Sequence, residues 1–155
     1  MRWEQGRPAI DGMLGRGEVE RVRPSRDHAE LLLGQARTHV IAAKLIASID
    51  PIGGYQLLYD AARKALTAVL ENQGLRPTSR GGHIAVYDAV AAQLEPPLGK
   101  TLRPFDRMRR RRNDAEYPRR GERPPLTPEN VESDLEKVSQ IVEVAAGVIG
   151  RMSSY

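Results

Sequence analysis

Proline and glycine residues divide this sequence into segments in which apolar side chains recur every three or four positions. That period is typical of amphipathic helices. The last segment shows it best, with apolar residues at Val131, Leu135, Val138, Val142, Ala145 and Ile149. It begins at Thr127-Pro128-Glu129, which offers an N-cap, a proline in the first turn and a favourable acid near the helix N-terminus. The pattern predicts a helix from Thr127 to about Ile149.

The same signals predict four earlier helices. The first begins at Ser25 or Asp27 and runs to Ile49. The second starts at Pro51, carries an apolar stripe of Leu58, Ala62, Ala65 and Val69, and ends near Gln73, before a C-cap at Gly74. The third covers about His83–Glu95, with a predicted stripe of Ile84, Tyr87, Ala91 and Leu94. The fourth spans Pro104–Glu116, because Pro118 disfavours helix at the residue before it. Residues 75–82 and 118–126 are predicted loops.

This pattern predicts an all-α fold, an antiparallel up-down bundle of four to five helices over residues 25–150. Only 5% of the residues are aromatic and none is cysteine, so the core must consist mainly of aliphatic side chains. No segment has a convincing strand pattern. Residues 1–24 contain scattered glycines and charges with no sustained period, and they are predicted to form a flexible N-terminal tail.

The sequence also indicates a compartment. It has no apolar run of the roughly 18 residues that a membrane span needs, and its N-terminus lacks the apolar stretch of a signal peptide. We therefore expect a cytoplasmic protein without a membrane partner. Arginine outnumbers lysine 20 to 4, which is typical of a GC-rich genome and favours a bacterial source.

Positive charge is concentrated in one segment, residues 103–123. It contains nine arginines against four acidic residues, a net charge of +5, whereas the remaining 134 residues sum to −1. A local basic patch is the usual signature of a phosphate-bearing partner. The segment therefore favours RNA or a nucleotide as the ligand.

Within this segment one arginine lies on the apolar stripe of the fourth helix. Leu98, Leu102, Phe105, Met108, Arg112 and Ala115 are three or four residues apart. Arginine is rare on an inward face unless it is paired or bound to a ligand. A structural ion pair between Arg112 and Glu116, one helical turn apart, is the simple alternative. Arg109, Arg110 and Arg111 point elsewhere and are more easily solvated.

The three histidines offer little independent evidence of a site. His28 is expected to be exposed, and His39 to be a half-buried core or interface residue. His83 follows two glycines and is either a turn residue or a group that faces Arg112. No two histidines have metal-ligand spacing, and the phosphate-, dinucleotide- and serine-hydrolase motifs are absent. The sequence therefore predicts no cofactor and no metal.

Three segments resemble the HEPN superfamily. Residues 112–117, Arg-Asn-Asp-Ala-Glu-Tyr, lie late in a basic helix and resemble its motif, an arginine followed within four to six residues by a histidine. The run Ala-Arg-Lys-Ala-Leu-Thr-Ala-Val-Leu at 62–70 resembles the second-helix pattern of the family. Gly-Gly-His at 81–83 resembles its Gly-His turn. The resemblance covers about residues 27–150.

The resemblance implies a helical bundle that dimerises with its two motif helices facing across the interface. Many members are metal-independent endoribonucleases, and some are toxins paired with a nucleotidyltransferase antitoxin. In their mechanism a 2′-hydroxyl attacks the adjacent phosphate, the arginine stabilises the developing charge and the histidine transfers the proton. Arg112 matches that arginine, but Tyr117 occupies the histidine position. Tyrosine has an ordinary pKa of about 10 and is a poor base at neutral pH.

Three functions are therefore compatible with the sequence. The favoured one is an RNA- or nucleotide-binding HEPN-like module with weak or absent ribonuclease activity. The second is a metal-independent endoribonuclease in which Arg112 and Tyr117 are catalytic, with His83 as another source of proton transfer. The third is a non-catalytic module whose arginines dock an acidic protein. The other candidate binding residues are Arg109, Asn113 and Glu116. Tyr117 could equally be an aromatic cap packed on a neighbouring helix.

Overall fold

The computed structural model describes residues 3–122 and 126–155 and is helical except for one pair of short strands. Its elements, in chain order, are α1 Arg7–Gly15, β1 Val19–Arg21, α2 Arg26–Ile46, α3 Pro51–Gln73, β2 Leu75–Pro77, α4 Gly82–Leu94, α5 Gly99–Leu102, α6 Pro104–Glu116 and α7 Pro128–Ile149. The all-α class predicted from the sequence is confirmed. Residues 123–125, part of the predicted 118–126 loop, lie outside the described residues.

Helix α3 lies at the centre of the fold. It contacts α2, α4, α6 and α7, so it is enclosed on nearly all sides. Its buried residues accordingly include adjacent positions such as Leu58 and Tyr59, and Ala61 and Ala62, rather than a single stripe. A helix that is apolar all round belongs in a core. The predicted stripe of α3 is confirmed, but it is only part of the buried surface.

Capping residues define most helix ends as the sequence predicts. The Ser25 hydroxyl accepts a hydrogen bond from the His28 N–H at the start of α2, and the Asp50 carboxylate accepts one from Gly53 at the start of α3. Thr127 and Asn130 form a reciprocal capping box at the start of α7. The exception is the end of α2, which lies at Ile46 rather than Ile49.

The prediction that residues 1–24 form a flexible tail is wrong for the described part of that segment. Residues 7–15 form α1, which buries Ile10 and Met13 and packs on α4. The indole N–H of Trp3 donates to the Gln93 carbonyl, 3.2 Å away. The apolar residues of this segment are too few and too interspersed with glycine to show a period. Their burial depends on a surface that α4 supplies.

The sequence also failed to predict the two strands. β1 pairs antiparallel with β2, with Val19 opposite Pro77, and β2 occupies part of the predicted 75–82 loop. Gly74 precedes β2 with φ +86°, a left-handed conformation that favours glycine. A Cβ at this position would lie 2.8 Å from the Val22 carbonyl oxygen and from Pro24, so a side chain here would push the N-terminal segment away.

The predicted apolar stripe is only partly right in α4, where Leu94 is buried and Tyr87 and Ala91 are half-buried, and it is right in α7. In α4, Ile84 is 52% exposed, whereas the smaller Ala85, Val86, Ala89 and Val90 are buried. The face bearing these small residues packs closely because α1, α3 and β2 all contact α4. In α7 the predicted apolar residues are buried or half-buried as expected. Within residues 3–122 and 126–155, no helix is long and apolar enough to cross a membrane.

Replacing Ile10 with alanine tests whether the N-terminal segment is part of the core. Ile10 is fully buried, so Ile10→Ala should lower the free energy of unfolding by about 2–4 kcal/mol through lost burial and a residual cavity. Ile84→Ala removes the same atoms from an exposed site and should cost less than about 0.5 kcal/mol. Urea denaturation measures both. Equal effects of the two substitutions would mean that the N-terminal segment is unpacked.

Candidate functional site

Helix α6 presents its apolar face to the core and places Arg112 on the same stripe. Phe105 and Met108 are fully buried and Ala115 is 5% exposed, while Arg112 is half-buried. The helix begins at Pro104 and ends at Glu116, and the N–H of its C-cap residue, Tyr117, donates to the Asn113 carbonyl. The inward position of Arg112, inferred from spacing alone, is confirmed.

Arg112 is held by neutral groups rather than by an acid. Its Nε donates to Gln56 Oε1 of α3 at 2.9 Å, and its Nη1 donates to Asn113 Oδ1 at 3.1 Å. The guanidinium lies over the ring of Tyr59, 5.5 Å from its centroid. Within the described residues, Arg112 forms no ion pair with Glu116 or any other acid, and its Nη2 makes no hydrogen bond. The positive charge of the guanidinium is therefore not offset by an acid in the described part of the chain, and Nη2 is free to donate to a ligand.

Tyr59 joins Arg112 to His83. Its hydroxyl lies 2.6 Å from His83 Nδ1. The phenol ring is fully buried and stacks on Phe105 with 5.3 Å between ring centroids. Arg112 and His83, which are 29 positions apart in the sequence, therefore contact the same side chain. Of the two interpretations of His83 left open by the sequence, the structure favours the one in which it faces the Arg112 site.

The hydrogen bond between Tyr59 and His83 determines which imidazole nitrogen carries the proton. Burial raises the pKa of Tyr59 to about 12, so the hydroxyl stays protonated at neutral pH. Its oxygen has no other hydrogen-bond partner in the part of the chain that is described. Since a buried O–H without an acceptor is costly, we infer that it donates to Nδ1. The neutral ring then carries its proton on Nε2.

His83 is neutral at pH 7. Partial burial of the ring lowers its pKa, and the charges of Arg63 and Arg112 lower it further. With Nδ1 occupied by Tyr59 and a proton on Nε2, the neutral imidazole can donate a hydrogen bond. It has no free lone pair with which to remove a proton. A general base needs the opposite arrangement, in which a partner accepts from Nδ1–H and leaves Nε2 free.

Arg63 completes a cluster of positive charge beside this histidine. It lies on α3 one turn after Tyr59, and its Nε is buried without a hydrogen-bond partner. Its one ion pair in the described residues is with Asp60, 3.5 Å away. We call Gln56, Tyr59, Arg63, His83 and Arg112 the Tyr59 cluster. It contains two guanidinium groups, and the neighbouring carboxylate of Asp60 offsets one of them, which leaves a net positive charge that suits an anionic ligand.

The other arginines of α6 form structural ion pairs. Arg107 binds Asp134 of α7 through two hydrogen bonds of 2.7 and 3.2 Å, and Arg111 lies 3.7 Å from the same carboxylate. Arg109 and Arg110 both pair with Asp106. The prediction that residues 109–111 are solvated therefore holds for Arg110, which is 72% exposed, but not for half-buried Arg109 and Arg111.

Asp134 is a functional neighbour that the sequence interpretation missed. It is fully buried and accepts a 2.7 Å hydrogen bond from the Tyr55 hydroxyl in addition to those from Arg107. Burial alone would raise its pKa, but the hydrogen bonds from Arg107 and Tyr55 hold the pKa below its ordinary value. A signal was available, because Asp134 lies three residues after Val131 and four before Val138 on the buried stripe.

Of the remaining predicted site residues, the structure separates Tyr117 and Glu116 from Arg112 and keeps Asn113 beside it. Tyr117 is 75% exposed, so it does not pack on a neighbouring helix as an aromatic cap. Within residues 3–122 and 126–155, no hydrogen bond or ring contact joins Tyr117 to Arg112. Glu116 is exposed, whereas Asn113 is half-buried and contacts Arg112 directly. Arg123, counted in the basic segment, lies outside the described residues.

Comparison with known proteins identifies no relative of this chain: no family model, no curated protein and no solved structure matches it. The HEPN resemblance therefore depends on the sequence motifs alone. The described residues contain no group of three or more side chains that could hold a metal ion. The function must be argued from the chemistry of the Tyr59 cluster.

Removing the Asp134 carboxylate should destabilise the attachment of α6. Asp134→Ala leaves the buried Tyr55 hydroxyl without an acceptor, and we expect a loss of about 2–3 kcal/mol in the free energy of unfolding at pH 7. Asp114→Ala, at an exposed position of α6, is the matched control and should change stability by less than about 0.5 kcal/mol.

The effect should also depend on pH. Because the pKa of Asp134 is lower in the folded state, the unfolded chain binds its proton more readily. The stabilisation is therefore complete above the ordinary carboxyl pKa of about 4 and is lost as the pH falls through the lower, folded value. When the free energy of unfolding is measured by urea denaturation from pH 7 to 3, the values for the unmodified chain and for Asp134→Ala should converge as the pH falls. A constant difference would exclude a charged Asp134.

Proposed function

We propose that this chain is a HEPN-like RNA- or nucleotide-binding module with weak or absent ribonuclease activity, built on an up-down helical bundle. The observation that carries the proposal is Arg112, a half-buried arginine that contacts Tyr59 and lacks an acidic partner within the described residues. A guanidinium in this setting gains most from a phosphate, with which it can form two parallel charge-assisted hydrogen bonds. Arg63 and the Nε2–H of His83 add donors beside it.

Weak or absent catalysis follows from the proton positions in the cluster. Cleavage of RNA by its own 2′-hydroxyl needs a group that removes the hydroxyl proton. His83 is neutral but, with Tyr59 donating to Nδ1, has its remaining nitrogen protonated. Tyr117 has no contact with Arg112 in the described part of the chain. The cluster therefore offers hydrogen-bond donors that can bind a phosphate, and it lacks a base that could activate the 2′-hydroxyl for cleavage.

RNA binding should depend on Arg112 and not on a neighbouring arginine of similar charge. Arg112→Ala should weaken binding of a short single-stranded RNA about 10- to 100-fold, the value of a charge-assisted hydrogen bond of about 1.5–3 kcal/mol. It should also reduce the slope of log affinity against log salt by about 0.7, since one phosphate contact is lost. Fluorescence anisotropy at several salt concentrations measures both quantities.

The matched control is Arg110→Ala, because Arg110 is on the same helix, exposed and paired with Asp106. It should leave affinity within about twofold of the unmodified chain. Equal losses in the two variants would mean that RNA contacts the outer face of α6 rather than the Tyr59 cluster. Unchanged affinity in Arg112→Ala would contradict the proposed site.

The alternative is an active metal-independent endoribonuclease, and the proximity of His83 to Arg112 favours it. We expect RNA incubated with the EDTA-treated protein to remain intact. Cleavage that yields 2′,3′-cyclic phosphate ends and is lost in Arg112→Ala would instead establish the enzyme. In that case, loss of cleavage in His83→Asn but not in Tyr117→Phe would assign the proton transfer to the histidine, and the opposite pattern would assign it to the tyrosine.

A further inference from the structure

Helix α2 carries a stripe of residues that nothing in the described structure covers. The stripe consists of Leu31, Gly34, Thr38, Ile41 and Leu45 in α2 and Ser48 in the turn after it, which alternate by three and four positions and are all exposed. The three apolar side chains are largely accessible to solvent: Leu31 is 56% exposed, Ile41 64% and Leu45 72%. This heptad spacing is typical of a helix that packs lengthwise against another helix. We call these six residues the α2 seam.

The middle of the α2 seam is suited to burial. The Thr38 hydroxyl donates to the Gly34 carbonyl at 3.1 Å, so its hydrogen-bond donor is satisfied within the helix and its methyl group is free to pack. Space beside Gly34 is open, since a Cβ built there would meet no atom within 4 Å. The seam therefore alternates large apolar side chains with a gap that could receive one.

A groove continues from the α2 seam towards α7. Two adjoining cavities, of about 280 and 480 Å³, share Val40, Ile41 and Ser139 in their lining. The α2 side of the groove carries cations at Arg37 and Lys44. The α7 side carries the acids Glu132, Glu136 and Glu143. Opposite charges thus flank one apolar surface, on two different helices.

We propose that the α2 seam and this groove bind a second copy of the chain in a two-fold symmetric dimer. A two-fold contact places each surface against itself. We place the two-fold axis perpendicular to α2, so that the two α2 helices run antiparallel. In the register that places Gly34 of one copy opposite Leu45 of the other, Thr38 lies opposite Ile41 and Leu31 lies opposite Ser48. Each large side chain meets a small one.

The charges support a second copy as the occupant. Arg37 pairs with Glu143 of its own copy, 3.5 Å away. In the antiparallel arrangement Lys44 of one α2 lies towards the acidic edge of the other copy's α7, and the reverse holds by symmetry. Lys44 and Glu132 form no ion pair within the described residues of one copy, so both are available for this contact. An unrelated partner would need to reproduce both charge rows, whereas a second copy presents them already.

This dimer differs from the arrangement that the HEPN resemblance implies, in which the two motif helices face each other. α2 packs on α3 and α7, whereas α6 packs on another part of α3. The inference does not depend on the proposed function, because none of the seam or groove residues belongs to the Tyr59 cluster. RNA binding and dimerisation can therefore succeed or fail independently.

Sedimentation velocity at tens of micromolar tests the interface. We expect the unmodified chain to be a dimer and the Ile41→Glu/Leu45→Glu double variant to be a monomer, because the introduced carboxylates would be buried opposite Thr38 and Gly34, which cannot neutralise them. Ile84→Glu is the control, since Ile84 is an equally exposed isoleucine on α4, and it should remain dimeric. Circular dichroism checks that all three chains are folded. A monomeric unmodified chain, or a double variant that stays dimeric, would overturn the proposal.

Disulfide trapping tests the register, because the chain has no cysteine of its own. A mixture of Gly34→Cys and Leu45→Cys chains should form a covalent heterodimer under mild oxidation. Gly34→Cys alone should not, since the two copies of position 34 would lie about 16 Å apart along the helices, beyond the reach of a disulfide. A covalent dimer of Gly34→Cys alone would indicate parallel helices and exclude the proposed register.

Discussion

The buried carboxylate of Asp134 connects the elements on which the candidate site depends. It lies in α7, accepts a hydrogen bond from Tyr55 of α3 and binds Arg107 of α6 through both of its oxygens. An ion pair of this kind can contribute little net stability, because desolvation offsets the attraction. Its geometric effect is larger, since the contacts of Arg107 and Arg111 with one buried carboxylate restrict the rotation and height of α6 relative to α7. That placement turns the opposite side of α6, with Phe105 and Arg112, towards α3.

The two faces of α6 consequently have different chemistry despite a similar composition. On one side, Arg107 and Arg111 share the carboxylate of Asp134, and Arg110 shares that of Asp106 with Arg109. On the other side, Arg112 meets an amide and an aromatic ring, which leave its charge uncompensated. A run of four arginines thus contains one that is available for an anion without first breaking an ion pair. Total charge along the segment would not have distinguished it.

Tyr59 has a comparable role for His83. A histidine beside an arginine suggests acid–base chemistry, but the protonation state of the ring depends on what its other nitrogen contacts. Here a tyrosine with a raised pKa occupies Nδ1, which directs the remaining proton outward. If a carboxylate stood in place of Tyr59, it would accept a hydrogen bond from Nδ1–H of His83 and leave Nε2 free to act as a base. The identity of one buried side chain therefore bears on whether the proposed site would bind RNA or cleave it.

Much of the fold was predictable because its determinants are local. Prolines, caps and apolar spacing fixed most bounds of α2, α3, α6 and α7, and the spacing within α6 alone placed Arg112 inward. The sequence could not show that residues 7–15 fold, that α4 buries its small face, or that Tyr59 joins Arg112 to His83, since each depends on a surface supplied by a distant segment. The hydrogen bonds of Asp134 likewise link residues up to 79 positions apart. By itself the sequence determined most of the helices and singled out Arg112. The tertiary structure decided which arginines have an acidic partner, because that depends on which side chains packing brings within reach.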